Sequence, residues 1–318
     1  AKISVYGAQA QEYKYQALFA RILYDIKNQW ILDLTGRRDG SSRFGPGKQF
    51  ASFGAVGASW IFSRQAFAQN HLSFLSFGKL RASMGVTGND QIGDYQFLST
   101  YSPTSYPYQG SGGLFPNNLA NPDYSWEKNT KWEIGLETGW LRDRFLISVS
   151  YYSNRSTNQL VGYALPQITG FGSVVANLTA VLRNSGWEFE VNTHNVKTQS
   201  FSWSTAFNLS IPKNKLAAFP GLSGSSYAYR YVIGKPLGVY QSFHLTGVNP
   251  QTGIYSYSDK KGIETDYPVY PDDLQSLKTI EQQYFGGMNN NFNYKGISLD
   301  IFFQFVKQTR SKYVSAGF

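Results

Sequence analysis

A strict two-residue alternation between residues 126 and 152 constrains this chain more than any other feature. From residue 131 to 140 the even positions are mostly apolar, and the odd positions hold glycine or charged residues. After a polar turn at residues 141–143 the alternation resumes and continues to Tyr152. Because successive side chains of a β-strand point to opposite faces, the pattern predicts a β-hairpin with one apolar and one polar face.

Segments of this kind recur along the 318 residues, and they predict about ten long strands. The segments are 15–26, 30–37, 50–62, 77–86, 131–140, 145–152, 187–192, 203–211, 284–294 and 297–305. The connections alternate between short turns and long polar loops, and the last long loop is expected to carry a small hairpin around Tyr240 and Tyr255. Membrane barrels have short periplasmic turns and long extracellular loops, whereas a Greek-key sandwich gives no such alternation. The pattern therefore favours an all-β, transmembrane, antiparallel up-and-down β-barrel over a soluble sandwich.

The aromatic content supports the same fold. Aromatic residues make up 17% of the chain, and several stand at strand ends, where interfacial girdles are expected: Trp126, Trp140, Tyr151 and Trp203. The chain contains no apolar run of about eighteen residues, but barrel strands need none, because only alternate residues face lipid.

In a barrel the apolar face of the hairpin would contact lipid, and the polar face would line the lumen. The side chains predicted to face lipid are Trp132, Ile134, Leu136, Phe145, Ile147 and Val149. On this interpretation a charge at position 136 would be costly, whereas Glu137→Ala beside it should cost little.

Other function classes have little support in the residues. The chain has no cysteine, and its three histidines, His71, His194 and His244, lack ligand-like spacing, so we predict no metal site and no cofactor. The net charge of +9 is scattered singly, which argues against nucleic-acid binding. The carboxylate pairs Glu133/Glu137 and Glu188/Glu190 could serve a glycosidase, but they are more typical of a solvated wall, and we predict no enzyme.

Several motifs, in this order, carry a resemblance to a known family. They are LTGRRDGSSRFG at 34–45, FGKLRASMG at 77–85 with TGND at 87–90, WEK at 126–128 with EIGLE at 133–137, RNSGWE at 183–188, IGKPLG at 233–238 and YKGISLD at 294–300. The chain resembles the C-terminal half of the barrel of SusC/RagA-type TonB-dependent outer-membrane transporters. Residues 266–283 depart from the family's aspartate and glycine spacing and are not aligned residue by residue.

The resemblance implies that residues 1–318 are the C-terminal portion of a barrel of about 22 strands with long extracellular loops. The plug domain and the N-terminal strands are expected to lie outside this chain, and no final amphipathic strand is recognisable in 311–317. It further implies a Gram-negative outer-membrane location, with outer-membrane lipid and lipopolysaccharide around the barrel. Active import of oligosaccharides or peptides would use a SusD-like surface lipoprotein and, through the missing N-terminal part, TonB with ExbB and ExbD.

A passive porin, or a barrel that serves only as a structural or surface-binding module, remains the alternative. For either role, aromatic rings in the longest loop are the candidate ligand contacts, because they stack on sugars and pack on peptides with little entropy cost. These residues are Tyr101, Tyr106, Tyr108 and Phe115, and Tyr227, Tyr229 and Tyr231 form a second set.

Overall fold

The computed structural model describes residues 11–310, and the terminal segments 1–10 and 311–318 lie outside the described residues. Within residues 11–310 no helix is long and apolar enough to cross a membrane. The one α-helix of this part of the chain, α1, spans Ala66–His71, and short 3-10 turns lie at Phe62–Arg64, Gln167–Thr169 and Leu222–Gly224. The strands are β1 (Tyr15–Ile26), β2 (Trp30–Ser41), β3 (Phe50–Trp60), β4 (Leu75–Asn89), β5 (Tyr101–Pro103), β6 (Leu114–Pro116), β7 (Glu127–Trp140), β8 (Phe145–Thr157), β9 (Gln159–Ala164), β10 (Ser173–Leu178), β11 (Val181–Lys197), β12 (Phe201–Ala218), β13 (Val239–Val248), β14 (Tyr255–Ser258), β15 (Glu264–Thr265), β16 (Leu274–Thr279), β17 (Gln282–Tyr294) and β18 (Ile297–Gln308).

Ten long strands form one hydrogen-bonded sheet, in the order β1-β2-β3-β4-β7-β8-β11-β12-β17-β18. Each long strand therefore pairs with the next long strand along the chain, which is the up-and-down order expected from the sequence. The smaller strands all belong to the connections. They form the pairs β5-β6 and β9-β10 and the four-stranded sheet β15-β14-β13-β16.

Tight turns join β1 to β2, β7 to β8, β11 to β12 and β17 to β18. In β17–β18 the register pairs Tyr294 with Ile297, and the two turn residues, Lys295 and Gly296, both have positive φ, of 45° and 89°. Such a left-handed pair matches the right-handed twist of the flanking strands. Lys27 and Asn28 turn β1 into β2 with φ of 54° each. These turns fix the register, and the register decides which side chains share a face.

The chain divides into two compact units. The first comprises Ala1–Ser59, Ala82–Trp132 and Arg155–Ala180, and the second comprises Trp60–Arg81, Glu133–Asn154 and Val181–Phe318. The first unit has an aromatic core beneath its connections, described below. In the second unit the alternation differs from strand to strand: along β11, Phe189 and Val191 are partly covered, whereas Glu188, Glu190 and Asn192 are exposed.

The apolar face of the β7–β8 hairpin is largely exposed. Trp132, Ile134 and Leu136 are exposed and alternate along β7 with the partly covered Glu133 and Glu137. On β8, Ile147 is exposed, and Phe145 and Val149 are partly covered. Bare apolar side chains on one face need an apolar solvent or partner. That this solvent is lipid stays a prediction.

The connections are more ordered than the sequence suggests. The loop at 154–180 contains the hairpin β9–β10, and the small hairpin expected near Tyr240 and Tyr255 is part of a four-stranded sheet. The connection from β3 to β4 is longer than a tight turn and holds α1. The strands beside the long connections also extend further than predicted, since β11 has 17 residues and β12 has 18.

Candidate functional site

The four aromatic residues predicted to contact a ligand lie on one hairpin in the connection between β4 and β7. Tyr101 belongs to β5 and Phe115 to β6, and the register places Ser102 opposite Phe115. Tyr106 and Tyr108 occupy the segment between these strands, where the Tyr108 amide donates to the Ser111 carbonyl at 3.1 Å. Tyr106 is 89% exposed and Tyr108 is 80% exposed. Their ring faces are therefore available to a sugar or a peptide.

The second tyrosine set divides into bracing and exposed rings. Tyr227 and Tyr231 stack with centroids 5.7 Å apart, and Tyr227 also packs on the buried Phe219 at 6.0 Å. Tyr229 is exposed, and its ring lies 6.3 Å from that of Tyr270. Only Tyr229 of this set presents much surface to a ligand.

A buried aromatic cluster lies at the base of the long connections in the first unit. Its members are Phe44, Phe53, Tyr124 and Trp126. The rings of Phe44 and Trp126 are 5.1 Å apart, and the indole N–H of Trp126 donates to the Gln49 carbonyl at 2.9 Å. Burial, and secondarily the nearby Glu127 carboxylate, raises the pKa of the Tyr124 phenol to about 12, so it stays neutral. The expectation that Trp126 is an interfacial girdle residue is wrong, because only 4% of it is exposed.

Polar contacts lock the connections to this cluster. The Asn177 side chain accepts the Ser125 amide at 2.9 Å and donates to the carbonyls of Ser125 and Asn158 at 2.7 and 3.0 Å. On the other side, the Arg43 guanidinium donates to the Asp94 carboxylate at 2.9 Å and to the Asp90 carbonyl at 3.0 Å. The sequence did not predict these contacts of Asn177 and Arg43. Single asparagine and arginine residues follow no periodic pattern that would mark them.

The polar face of the second unit carries a charged network. Arg81 on β4 donates to the carboxylates of Glu133 and Glu137 on β7, and the Arg81–Glu137 distance is 2.9 Å. The Lys79 ammonium lies 3.4 Å from the same Glu137 carboxylate. A Cβ atom at Gly135 would lie 2.9 Å from Nε of Arg81, so the missing side chain gives the guanidinium room between the two glutamates.

A cleft of about 460 Å³ opens beside this network. Arg81 and Glu137 line it on one side, and Glu188, Glu190 and Asn192 of β11 line it on the other. Its charged side chains are mainly acidic. The predicted carboxylate pairs are thus brought to one polar surface, where Arg81 holds Glu133 and Glu137 as structural partners.

Metal chemistry finds no support in residues 11–310, in which no group of three or more His, Asp or Glu side chains could hold an ion. The sequence contains no cysteine.

Comparison with known proteins gives a consistent result. The model of the family described as TonB dependent receptor-like, beta-barrel, matches residues 3–306. The TonB-dependent receptor P39 of Formosa agariphila is 30% identical over 261 residues, which are 82% of this chain and 24% of the relative. The TonB-dependent receptor SusC of Bacteroides thetaiotaomicron is 28% identical over 243 residues, which are 71% of this chain and 23% of the relative.

Among solved structures, the RagAB peptide importer in its closed-closed state superposes with a TM-score of 0.84 at 25% identity. The match covers 93% of this chain and 33% of that chain. The chain thus spans about a quarter of the length of the two curated relatives and a third of the importer chain. The long strands are accordingly part of a transmembrane β-barrel, and the ends with long connections are extracellular.

Proposed function

Because the chain belongs to the TonB-dependent receptor-like β-barrel family, we propose that it forms the C-terminal part of an active importer of oligosaccharides or peptides. Members of this family and its SusC and RagA relatives are outer-membrane proteins, and so is this chain. The family is one of transporters and receptors rather than enzymes. The glutamates of the cleft accordingly serve as wall groups.

One observation carries the proposal. A hairpin on the extracellular side presents four aromatic side chains, of which Tyr106 and Tyr108 are almost fully exposed. Tyrosine rings supply large, rigid contact area at small entropy cost, which suits capture of sugar rings or peptide segments. The similarity to a peptide importer supports peptides as one cargo class.

The remaining machinery would come from elsewhere in the protein and from partners. We assign this chain the C-terminal barrel wall and extracellular rim, and we assign the plug and the TonB contact to the part of the protein that precedes it. A SusD-like lipoprotein would close over the exposed aromatic hairpin, and TonB with ExbB and ExbD would supply energy. Trp126 and Asn177 stabilise the base of the connections, so the extracellular rim could bind a partner without unfolding.

The test uses the full-length protein in living cells, with labelled oligosaccharide and labelled peptide as probes. Tyr106→Ala combined with Tyr108→Ala should lower uptake of one probe at least about tenfold, if each stacking contact contributes about 1 kcal/mol. Tyr294→Ala is the matched control, because Tyr294 is half exposed but lies at the opposite end of the strands. Uptake of that probe should also stop when the proton gradient is collapsed. Uptake that persists without the gradient would instead indicate a passive pore.

A further inference from the structure

The outer face of β11 and β12 carries three cations near the extracellular end. Arg183, Lys213 and Lys215 are all exposed, and we call them the cationic face. The register pairs Arg183 with Lys215 and Ser185 with Lys213. Arg183 shares its side of β11 with Trp187, four residues further along, and the Trp187 ring lies 5.0 Å from that of Tyr151. The cationic face therefore continues the apolar outer surface and points away from the lumen.

These cations are not neutralised by the protein. Within residues 11–310 none of the three forms an ion pair. Arg183 donates from Nε to the Ser153 hydroxyl at 3.0 Å, which orients the guanidinium without cancelling its charge. Like charges directly opposite each other on paired strands repel, so the Arg183–Lys215 pair destabilises the sheet unless an anion lies between them.

The spacing of aromatic residues along β11 gives the position of the cationic face relative to the membrane. Trp187 and Val196 are nine residues apart on β11, and Val196 pairs with Trp203, whose ring stacks on Phe292 at 5.5 Å. At about 3.3 Å per residue and a tilt of about 40°, nine residues rise about 23 Å. This matches the apolar band of about 25 Å between two aromatic girdles. Arg183 then lies about 10 Å beyond the outer girdle, among the headgroups of the outer leaflet.

A cleft of about 560 Å³ is present at this position. Arg183, Lys213 and Lys215 line it together with Ser185, and the long connection adds Glu281. The Glu281 carboxylate accepts the Gly238 amide at 3.2 Å and keeps its negative charge, so three cations and one carboxylate leave the lining with a net charge of +2. Three cations and a hydroxyl around an open cleft suit phosphate groups carried on a sugar, since guanidinium and ammonium groups are strong donors to phosphate oxygens.

We propose that the cationic face binds the phosphorylated sugar headgroup of the outer-leaflet glycolipid, lipid A. The site depends on the outer-membrane location and the orientation of the barrel, and it is independent of cargo transport. A bound headgroup would relieve the repulsion between Arg183 and Lys215 and would fix the outer edge of these two strands.

The experiment measures lipid A binding to the purified full-length protein in detergent, by native mass spectrometry and by titration. Each cation removed should weaken binding about fivefold, and the triple variant R183Q/K213Q/K215Q should weaken it more than about fiftyfold. Lys295→Gln is the matched control. It removes the same charge at the tight turn between β17 and β18, on the periplasmic side, and should leave binding unchanged.

Further measurements make the outcome decisive. Dephosphorylated lipid A should lose most of the affinity, and inorganic phosphate alone should compete only weakly. Unchanged binding in the triple variant, or equal binding of the dephosphorylated lipid, would overturn the proposal. Folding of the triple variant is checked by its resistance to unfolding in cold detergent. If this resistance is lost, binding is compared between the single variant Lys213→Gln and the unchanged protein. Cargo uptake should be retained in these variants, which separates this proposal from the transport function.

Discussion

The guanidinium of Arg81 on β4 donates from Nε to the Glu137 carboxylate on β7 at 2.9 Å, although 56 residues separate the two in sequence. The same guanidinium also donates to Glu133, and Lys79 approaches Glu137. One cation therefore lies between two carboxylates that would otherwise repel each other across a polar wall. Since these side chains are about one-third exposed, water screens the network only in part.

Arg81→Met keeps the aliphatic stem and removes the charge between the two glutamates. We expect it to lower the free energy of unfolding by about 1 to 2 kcal/mol, because hydrogen bonds to charged groups are lost and two carboxylates are left together. Urea titration of the full-length protein in detergent measures this. Arg21→Met is the matched control. Its partner is Asp33 and Arg21 is 62% exposed, so the loss should stay below about 0.5 kcal/mol. Equal losses in the two variants would contradict a special role for Arg81.

Leu136→Arg tests which face of β7 meets lipid. Leu136 is exposed on the apolar face, and a charge at the middle of a bilayer costs about 2 to 4 kcal/mol. The free energy of unfolding in lipid bilayers should fall by that amount. Ser148→Arg is the matched control. Ser148 lines the acidic cleft near Glu188 and Glu190, so an arginine there should cost little stability. A tolerated arginine at 136 together with a costly one at 148 would invert the assignment of faces.

The structure also changes one expectation about the neighbouring position. From the sequence, Glu137→Ala should cost little, because a glutamate on a solvated wall has no evident partner. Glu137 in fact pairs with both Arg81 and Lys79, so we now expect a measurable loss of stability. The sequence shows which residues share a face of a strand, but it does not show which strands are neighbours. The ion pair between Arg81 and Glu137, 56 residues apart, could therefore not be predicted.

The ten long strands could be predicted because period-two alternation and turn chemistry are local signals. Fewer than six residues suffice to place Trp132, Ile134 and Leu136 on one face, and two residues, Lys295 and Gly296, suffice to predict the turn. The connections could not be predicted in the same way. Trp126 looks like a strand-end aromatic, and only the approach of Phe44 and Phe53, which are distant in sequence, buries it. The aromatic residues around Tyr106 could be recognised from the loop's composition, but the pairing of β5 with β6 could not be predicted.

Asp273 gives the extracellular connection a pH-dependent support. Its carboxylate accepts the amides of Val269 and Lys260 at 2.7 and 2.9 Å, and these bonds hold the pKa of Asp273 below that of an ordinary aspartate. A lowered folded-state pKa means that the stabilisation is complete above the unfolded-state value and disappears as the pH falls through the folded-state value. Amide exchange at Lys260 and Val269, corrected for intrinsic rates, should therefore accelerate on acidification below about pH 4.

Asp273→Asn should remove most of that pH dependence, because an amide oxygen does not titrate in this range. Asp272→Asn is the neighbouring control. Asp272 pairs with the Lys260 ammonium at 2.6 Å, and both groups are more than half exposed, so its loss should leave the acid response in place. An acid response that survives Asp273→Asn would assign the effect to another carboxylate.

Trp126 tests whether the extracellular connections depend on the buried cluster. Trp126→Ala removes a ring packed against Phe44 and Phe53 and should cost about 3 to 5 kcal/mol, as other buried Trp truncations do. Trp126→Phe retains most of the packing and loses the bond to the Gln49 carbonyl, which still accepts the Ser41 amide at 3.0 Å. The cost of that change should be about 1 kcal/mol.

The readout for Trp126 should be local as well as global. Because the cluster lies at the base of residues 90–126, Trp126→Ala should expose this segment to limited proteolysis before the strands unfold. Trp132→Ala, on the exposed face of β7, should leave the segment protected. Cleavage at equal rates in the two variants would mean that the Asn177 and Arg43 contacts hold the connection without the aromatic cluster. Since those contacts are hydrogen bonds with partly exposed atoms, we expect the aromatic packing to dominate.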